Sequence, residues 1–321
     1  MIEARGLTKH YGETTAVSDL SFDVRPGQVT GFLGPNGSGK STTMRLIMGL
    51  DRPDAGRVTL NGRTYRELPW PLREVGALLE AKAIHPGRSA YDHLWALVQT
   101  NDIPRKRVSE VLEQVGLESV ARRRAGRFSL GMGQRLGIAG ALLGDPEILL
   151  FDEPINGLDP EGIRWVRHLL RGLAAEGRTV FVSSHLMSEM ALTADRLVVI
   201  GRGRLIAEMP VADFIACHSR QFVRVRTSTP SEVVALTDAL AGAGAQVADD
   251  DGAMCVTGLC ASEIGELAAS VGATLHELSP QMASLEDAFM ELTRDSVEFR
   301  VHDAPDDDVR VSDIELAPVK R

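Results

Sequence analysis

Over residues 1 to about 210, short continuous apolar runs alternate with stretches of helical spacing. "QVTGFLG" (28–34) is a brief apolar run ended by glycine, and "KSTTMRLIMGL" (40–50) follows with helical periodicity. "EILLFDEP" (147–154) is a second run, stopped by Pro154. "RTVFVSSH" (178–185) is a third, followed by "LMSEMALTA" at helical spacing. "DRLVVIGRGRLIAE" (195–208) reads as two strands joined at Gly201-Arg202-Gly203. Parallel strands buried on both faces look like such runs, and their alternation with helices predicts an α/β sheet. The first residues, "MIEARGLTKHYGETTAVSDLSFDVRPG", alternate more like antiparallel strands.

Pro210 and "ACHSRQ" (216–221) mark a boundary. Beyond it, "FVRVRT" (222–227) alternates as a half-buried strand, and "SEVVALTDALAGAG" (231–244) is helical from a serine N-cap. "AQVADDDGAMCVTG" (245–258) reads as a hairpin around Asp251-Gly252. Then come a helix in "ASEIGELAASVGA" (261–273), a strand in "TLHELS" (274–279) and a helix in "SLEDAFMELTRD" (284–295). The order strand-helix-strand-strand-helix-strand predicts a small ferredoxin-like α+β unit. From about Val297 the pattern is lost; the acidic, proline-containing end predicts a disordered tail. The expected divisions are therefore 1–212, 219–295 and 296–321.

Composition changes this picture little. The 321 residues are 44% hydrophobic and 25% charged, ordinary for a soluble globular chain. The net charge of −9 argues against a nucleic-acid partner, which needs a basic face. Cys217, Cys255 and Cys260 form no CxxC pair, as in a reducing compartment without a metal cage. The N-terminus has no apolar h-region and no stretch reaches eighteen apolar residues, so neither a signal peptide nor a membrane span is expected.

Three stretches carry chemistry. "GPNGSGKS" (34–41) fits G-x-x-x-x-G-K-[ST] between an apolar strand and a periodic helix. Successive backbone N–H groups of such a loop wrap a phosphate, and the helix N-terminus behind them favours the anion. Lys40 supplies charge to the β- and γ-phosphates, the Ser41 hydroxyl can ligate Mg²⁺, and Thr42 adds a donor. "ILLFDEP" (148–154) ends a strand in two carboxylates that point different ways. Asp152 then suits the metal's water and Glu153 the attacking water, the alignment that phosphoryl transfer requires. "VFVSSH" (180–185) places His185 at a third strand end, within reach of a γ-phosphate; "NGLDPEG" (156–162) offers a turn and helix start at Asp159-Pro160.

These motifs, in this order, resemble the ATP-binding subunit of an ABC transporter, and "FSLGMGQR" (128–135) stands where that family has its LSGGQ signature. The resemblance covers residues 1 to about 210. "SLEDAFMELT" also resembles the ending of exporter-type subunits of the ABC-2 branch, similar to bacitracin- and daunorubicin-resistance ATPases. It implies a P-loop ATPase fold with a RecA-like core, an antiparallel β subdomain and a helical subdomain, followed by the ferredoxin-like unit. It further implies ATP and Mg²⁺ as cofactors. Gly34, Pro35, Asn36, Gly37, Ser38, Gly39, Lys40, Ser41 and Thr42 would bind phosphates and metal. Tyr11 would stack on adenine, a half-buried sheet tyrosine being the plainer alternative. Asp152 would serve Mg²⁺, Glu153 would be the general base and His185 the γ-phosphate switch. Asp159 would contact a second subunit, and Ser129 and Gly131 would complete that subunit's ATP site. Two copies would clamp two ATP molecules and drive a separate transmembrane permease from the cytoplasmic face of the membrane.

Three departures stand out. Leu130 sits where the signature commonly has glycine, and Met132 where it often has glutamine. Glu80 occupies the place of the glutamine near Mg²⁺, where an acid can still ligate the ion. Asn156 replaces the small hydroxyl residue before GLDP. The basic run "ARRRAGRF" (121–128) is either a solvated face or a contact with the permease or second subunit. The resemblance favours export of a drug, antibiotic or other hydrophobic compound. An importer ATPase with a regulatory C-terminal domain, and a soluble ATPase acting on ribosomes or DNA, are the alternatives. His276 and Cys255 are read as structural.

Overall fold

The computed structural model describes residues 1–80, 83–218, 222–250, 252–281 and 285–293. The expected tail, 296–321, lies outside them. The strands are β1 (Ile2–Tyr11), β2 (Thr14–Val24), β3 (Gln28–Leu33), β4 (Ala55–Leu60), β5 (Val75–Leu78), β6 (Ile148–Asp152), β7 (Thr179–Ser183), β8 (Arg196–Gly201), β9 (Arg204–Pro210), β10 (Phe222–Thr227), β11 (Gln246–Asp250), β12 (Ala253–Thr257) and β13 (Leu275–Gln281). The helices are α1 (Lys40–Ile47), α2 (Pro71–Glu74), α3 (Ala90–Gln99), α4 (Lys106–Gln114), α5 (Leu130–Leu142), α6 (Pro160–Ala175), α7 (Met187–Thr193), α8 (Val211–His218), α9 (Pro230–Gly242), α10 (Ala261–Ser270) and α11 (Leu285–Thr293).

A six-stranded sheet, in the order β5-β6-β7-β3-β8-β9, carries the fold. Its first five strands pair in parallel and β9 closes the edge antiparallel to β8. Alternation of side chains across each strand supplies two cores at once. Val29, Leu33, Leu149, Phe151, Val180 and Val182 enter the first, while Phe32, Ile148, Leu150 and Phe181 enter the second. This explains the continuous apolar runs. The second core is capped by the antiparallel sheet β2-β1-β4 and by α1. Phe22, Phe32 and Phe181 meet there with ring centroids 4.9–5.8 Å apart.

The last sheet runs β11-β12-β10-β13, antiparallel throughout, with α9 and α10 folded onto one face. That is the ferredoxin-like order. Leu236, Leu240, Ile264 and Ala268 of the helices meet Val223, Val225, Met254 and Val256 of the strands. The N-cap of helix α9 lies two residues earlier than its serine suggested. Thr229, not Ser231, is its N-cap, because Pro230 fits the first helical position and the Glu232 carboxylate accepts the Thr229 N–H at 3.1 Å.

The helices flanking this unit belong to the larger body. Phe214 of α8 is fully buried in the first core, and so are Leu285, Ala288 and Phe289 of α11, an i, i+3, i+4 stripe. A division after residue 212 thus cuts through a helix packed on the ATP-binding body. The final helix, counted with the small unit by its sequence position, returns to α8 and α7.

Candidate active site

The phosphate loop leaves the C-terminal end of β3, the edge at which open α/β sheets bind their ligands. Its glycines are needed for close approach. A Cβ at Gly39, whose φ is 100°, would stand 2.4 Å from the Ala16 carbonyl, and one at Gly34 would stand 2.6 Å from the Ile200 carbonyl. Lys40 is buried beneath the loop, and its ammonium donates to the carbonyls of Gly34 (2.5 Å) and Pro35 (3.1 Å). Burial lowers its pKa, opposed by the nearby charges of Glu153 and Asp152. The Ser38 hydroxyl is buried without a hydrogen-bond partner among the described residues, a donor available to a phosphate oxygen.

Two strands away, β6 delivers both carboxylates. The Ser41 hydroxyl donates to Asp152 Oδ2 at 2.9 Å, and the Ser183 hydroxyl, from the next strand, donates to Asp152 Oδ1. Asp152 and Ser183 are register partners, so the sheet itself sets this contact. Glu153 turns out of the strand with φ 50°, a left-handed conformation rare outside glycine. Its carboxylate Oε2 lies 2.8 Å from His185 Nδ1. Its N–H donates to Ser183 Oγ (3.1 Å) and its carbonyl accepts from Gln134 Nε2 (2.8 Å).

These groups face one open cleft of about 920 Å³. Asn36, Gly37, Ser38, Gly39, Lys40, Ser41, Thr42, Glu80, Asp152, Glu153 and His185 line it, with Thr14, Thr15, Ala16, Leu79, Leu130, Gln134, Asn156 and Arg202. Gly34 and Pro35 carry the carbonyls that Lys40 holds and are not part of the lining. Four more expected residues stand outside the lining. Tyr11 ends β1 with 48% of its surface exposed, its hydroxyl donating to Asp51 Oδ2 at 2.7 Å. Ser129 caps α5 by accepting the Met132 N–H (3.2 Å), and Asp159 caps α6 by accepting the Gly162 N–H (2.9 Å). Gly131 lies against Leu158. In the single chain, then, Ser129, Gly131 and Asp159 do not line the phosphate loop's cleft, whereas Leu130 and Gln134 of the same helix do.

Ser183 and Gln134 were not singled out by sequence. Ser183 was legible in principle, since "ILLFD" and "VFVS" end level with each other once the strands pair. Gln134 carried no such signal, because its partner is a backbone carbonyl distant in sequence.

A donor set of one hydroxyl and one or two carboxylates suits Mg²⁺, which takes its other ligands from water and phosphate. Ser41, Asp152 and Glu80 are the residues that would hold it, and the 2.9 Å approach of the first two fits that use. No triad of His, Cys, Asp or Glu gathers for a metal among the described residues, and an ion so bound needs none.

A phosphate loop opening a helix with a buried lysine and a serine, and a carboxylate pair at the end of a parallel strand two places away in the same sheet, define a P-loop nucleoside-triphosphatase. The ABC transporter family model matches residues 17–156, and a domain of unknown function matches 221–286. The bacitracin transport ATP-binding protein of Bacillus licheniformis is 38% identical over 74% of this chain and 78% of its own. An uncharacterized ABC transporter ATP-binding protein of Bacillus subtilis is 34% identical over 91% of this chain and 95% of its own. The lantibiotic transport ATP-binding protein of Streptococcus pyogenes is 36% identical over 65% of this chain and 90% of its own. Among solved structures, an ATP-binding subunit of an ABC transporter superposes with a TM-score of 0.62 at 26% identity, covering 68% of this chain and 92% of that one. A dimeric bacterial ABC transporter cassette does so with a TM-score of 0.61 at 27% identity, covering 66% and 99%. The chain belongs to the ATP-binding proteins of ABC transporters and is an ATP hydrolase of that family.

Proposed function

We propose that the protein is the energy-supplying subunit of an exporter, working as a homodimer on a separate membrane permease. The observation that carries this reading is the complete hydrolytic constellation in one cleft: Lys40, Ser41, Asp152, Glu153 and His185. No helix among the described residues is long and apolar enough to cross a membrane, and the relatives named as transport ATP-binding proteins support a separate permease. The bacitracin and lantibiotic transport relatives support a drug, antibiotic or similar hydrophobic compound as cargo.

The proposed chemistry follows from the positions. The phosphate loop and Lys40 bind the β- and γ-phosphates; Ser41 and Asp152, with Glu80, would hold Mg²⁺, which would supply positive charge against that developing on the phosphates. Glu153 aligns and deprotonates the attacking water, and His185 holds the Glu153 carboxylate and meets the γ-phosphate. Tyr11 stacks on the adenine. Ser129 and Gly131, at a helix N-terminus, donate to the ATP of the second subunit, and Asp159 lies at the seam between copies. ATP closes the dimer and hydrolysis reopens it.

Efflux tests this reading. In cells carrying the chain and its permease, Glu153→Gln is expected to raise retention of the cargo as far as loss of the permease does. Equal efflux by the variant and the unaltered protein would refute it.

A further inference from the structure

Glu153 occupies a left-handed backbone conformation, and side chains from two other elements hold both of its main-chain polar groups. Ser183 of β7 takes the N–H, and the carbonyl accepts from Gln134 Nε2 of α5 at 2.8 Å as well as from the Asn156 N–H at 3.2 Å within its own turn. Gln134 is 2% exposed and sits in a helix otherwise packed by Leu136, Ile138, Ala139, Ala141 and Leu142. A buried amide in such surroundings is costly unless its hydrogen bonds are made. Its bond goes to the residue whose side chain meets His185.

The same helix grips the adjoining loop a second time. A Cβ on Gly157 would fall 2.2 Å from Leu130 Cδ2, so the leucine lies directly over that glycine. The departure of Leu130 from the family's glycine thus gives α5 a second hold on the segment after Glu153. Farther along, Gly137 rests on Leu78, two residues before Glu80.

We propose that Gln134 is a positioning residue for hydrolysis. Its amide fixes the Glu153 main chain so that the carboxylate faces His185 and the cleft. The N-terminal end of α5 addresses the ATP of the second subunit, so one rigid helix joins that ATP to the base of its own subunit. This rests on the reading of Glu153 as the base.

Gln134→Met keeps the side-chain volume and removes the donor; Gln134→Asn keeps the amide one methylene short of the carbonyl. With the full chain and Mg-ATP, each is expected to lower kcat about 10- to 100-fold, the scale of a small misplacement of a reacting group. The KM for ATP stays within about twofold. In the Glu153→Gln background, Gln134→Met changes the residual rate less than about threefold, because the group it positions is already disabled. The ATP-dependent dimer of that double variant persists. A kcat within about twofold of the unaltered protein overturns the proposal, as does an equal fold-loss in both backgrounds. Loss of the dimer with Gln134→Met shows a merely structural role and overturns it too. Turnover by Glu153→Gln alone at the unaltered rate sinks the reading of the base instead, and is told apart because it requires no change at Gln134.

Discussion

His185 Nδ1 lies 2.8 Å from Glu153 Oε2, and the His185 N–H approaches the same oxygen at 3.4 Å. Two donors from the end of β7 thus orient one carboxylate oxygen at the end of β6. The parallel pairing of these strands, which sets Asp152 opposite Ser183, creates the approach. Replacing His185 by alanine removes the ring contact and leaves the fold of β7 intact. Steady-state assays are expected to show kcat down about 100-fold or more, with the KM for ATP changed little.

Lys40 acts on binding rather than on orientation. Its ammonium holds the Gly34 and Pro35 carbonyls, so the loop is shaped around the charge. Lys40→Ala removes charge-assisted hydrogen bonds from a buried position. Equilibrium titration with a fluorescent ATP analogue is expected to show affinity reduced about 10- to 100-fold.

Tyr11 separates two contributions in one side chain. Its ring is half exposed, with Lys9 Nζ 5.4 Å from the ring centroid, while its hydroxyl is engaged by Asp51. Tyr11→Phe is expected to keep ATP affinity, and Tyr11→Ala to lose about tenfold, within the range of base–aromatic stacking. Equal losses in both variants would remove the adenine role.

Asp51 gives the pH dependence. Its carboxylate accepts from Arg45 first and from Tyr11 second, and these bonds lower its pKa from the ordinary 3.8 to about 2. A depressed carboxylate pKa contributes stability that is present above about pH 4 and is lost as pH falls through about 2. Thermal melts of the unaltered protein and Asp51→Asn are expected to differ modestly near pH 5 and to converge toward pH 2. The difference stays small because the ion pair is at the surface.

The glycines of β5 and α5 are not equivalent. A Cβ on Gly76 would lie 1.9 Å from the Ala141 carbonyl, a backbone atom that cannot step aside. At Gly140 the nearest atom is Leu97 Cδ1 at 3.8 Å, ordinary contact. Chemical denaturation is expected to show Gly76→Ala destabilised by about 1–3 kcal/mol, and Gly140→Ala unchanged or stabilised by up to about 1 kcal/mol.

The catalytic strand ends were legible because each motif is short and contiguous. A phosphate loop, a carboxylate pair and a terminal histidine each end an apolar run, and a parallel sheet brings such ends to one edge. What eluded sequence depends on contacts between distant segments. Gln134 meets a backbone carbonyl, which leaves no mark in the chain. The periodicity of α11 showed an apolar stripe, but a stripe does not say which core it enters. Gly137 has a packing reason in Leu78; Gly140 has none at its Cβ position. The cap of α9 moved from Ser231 to Thr229 because a proline and a glutamate at fixed offsets outrank a serine alone.

In the proposed function, Glu153 drives turnover in a site completed by a second copy. Light scattering on Glu153→Gln, with and without Mg-ATP, paired with phosphate release, tests it most directly. A stable dimer is expected only when ATP is present, with phosphate release reduced about 100-fold or more. A variant that hydrolyses ATP at the unaltered rate, or that binds ATP and stays monomeric, contradicts it.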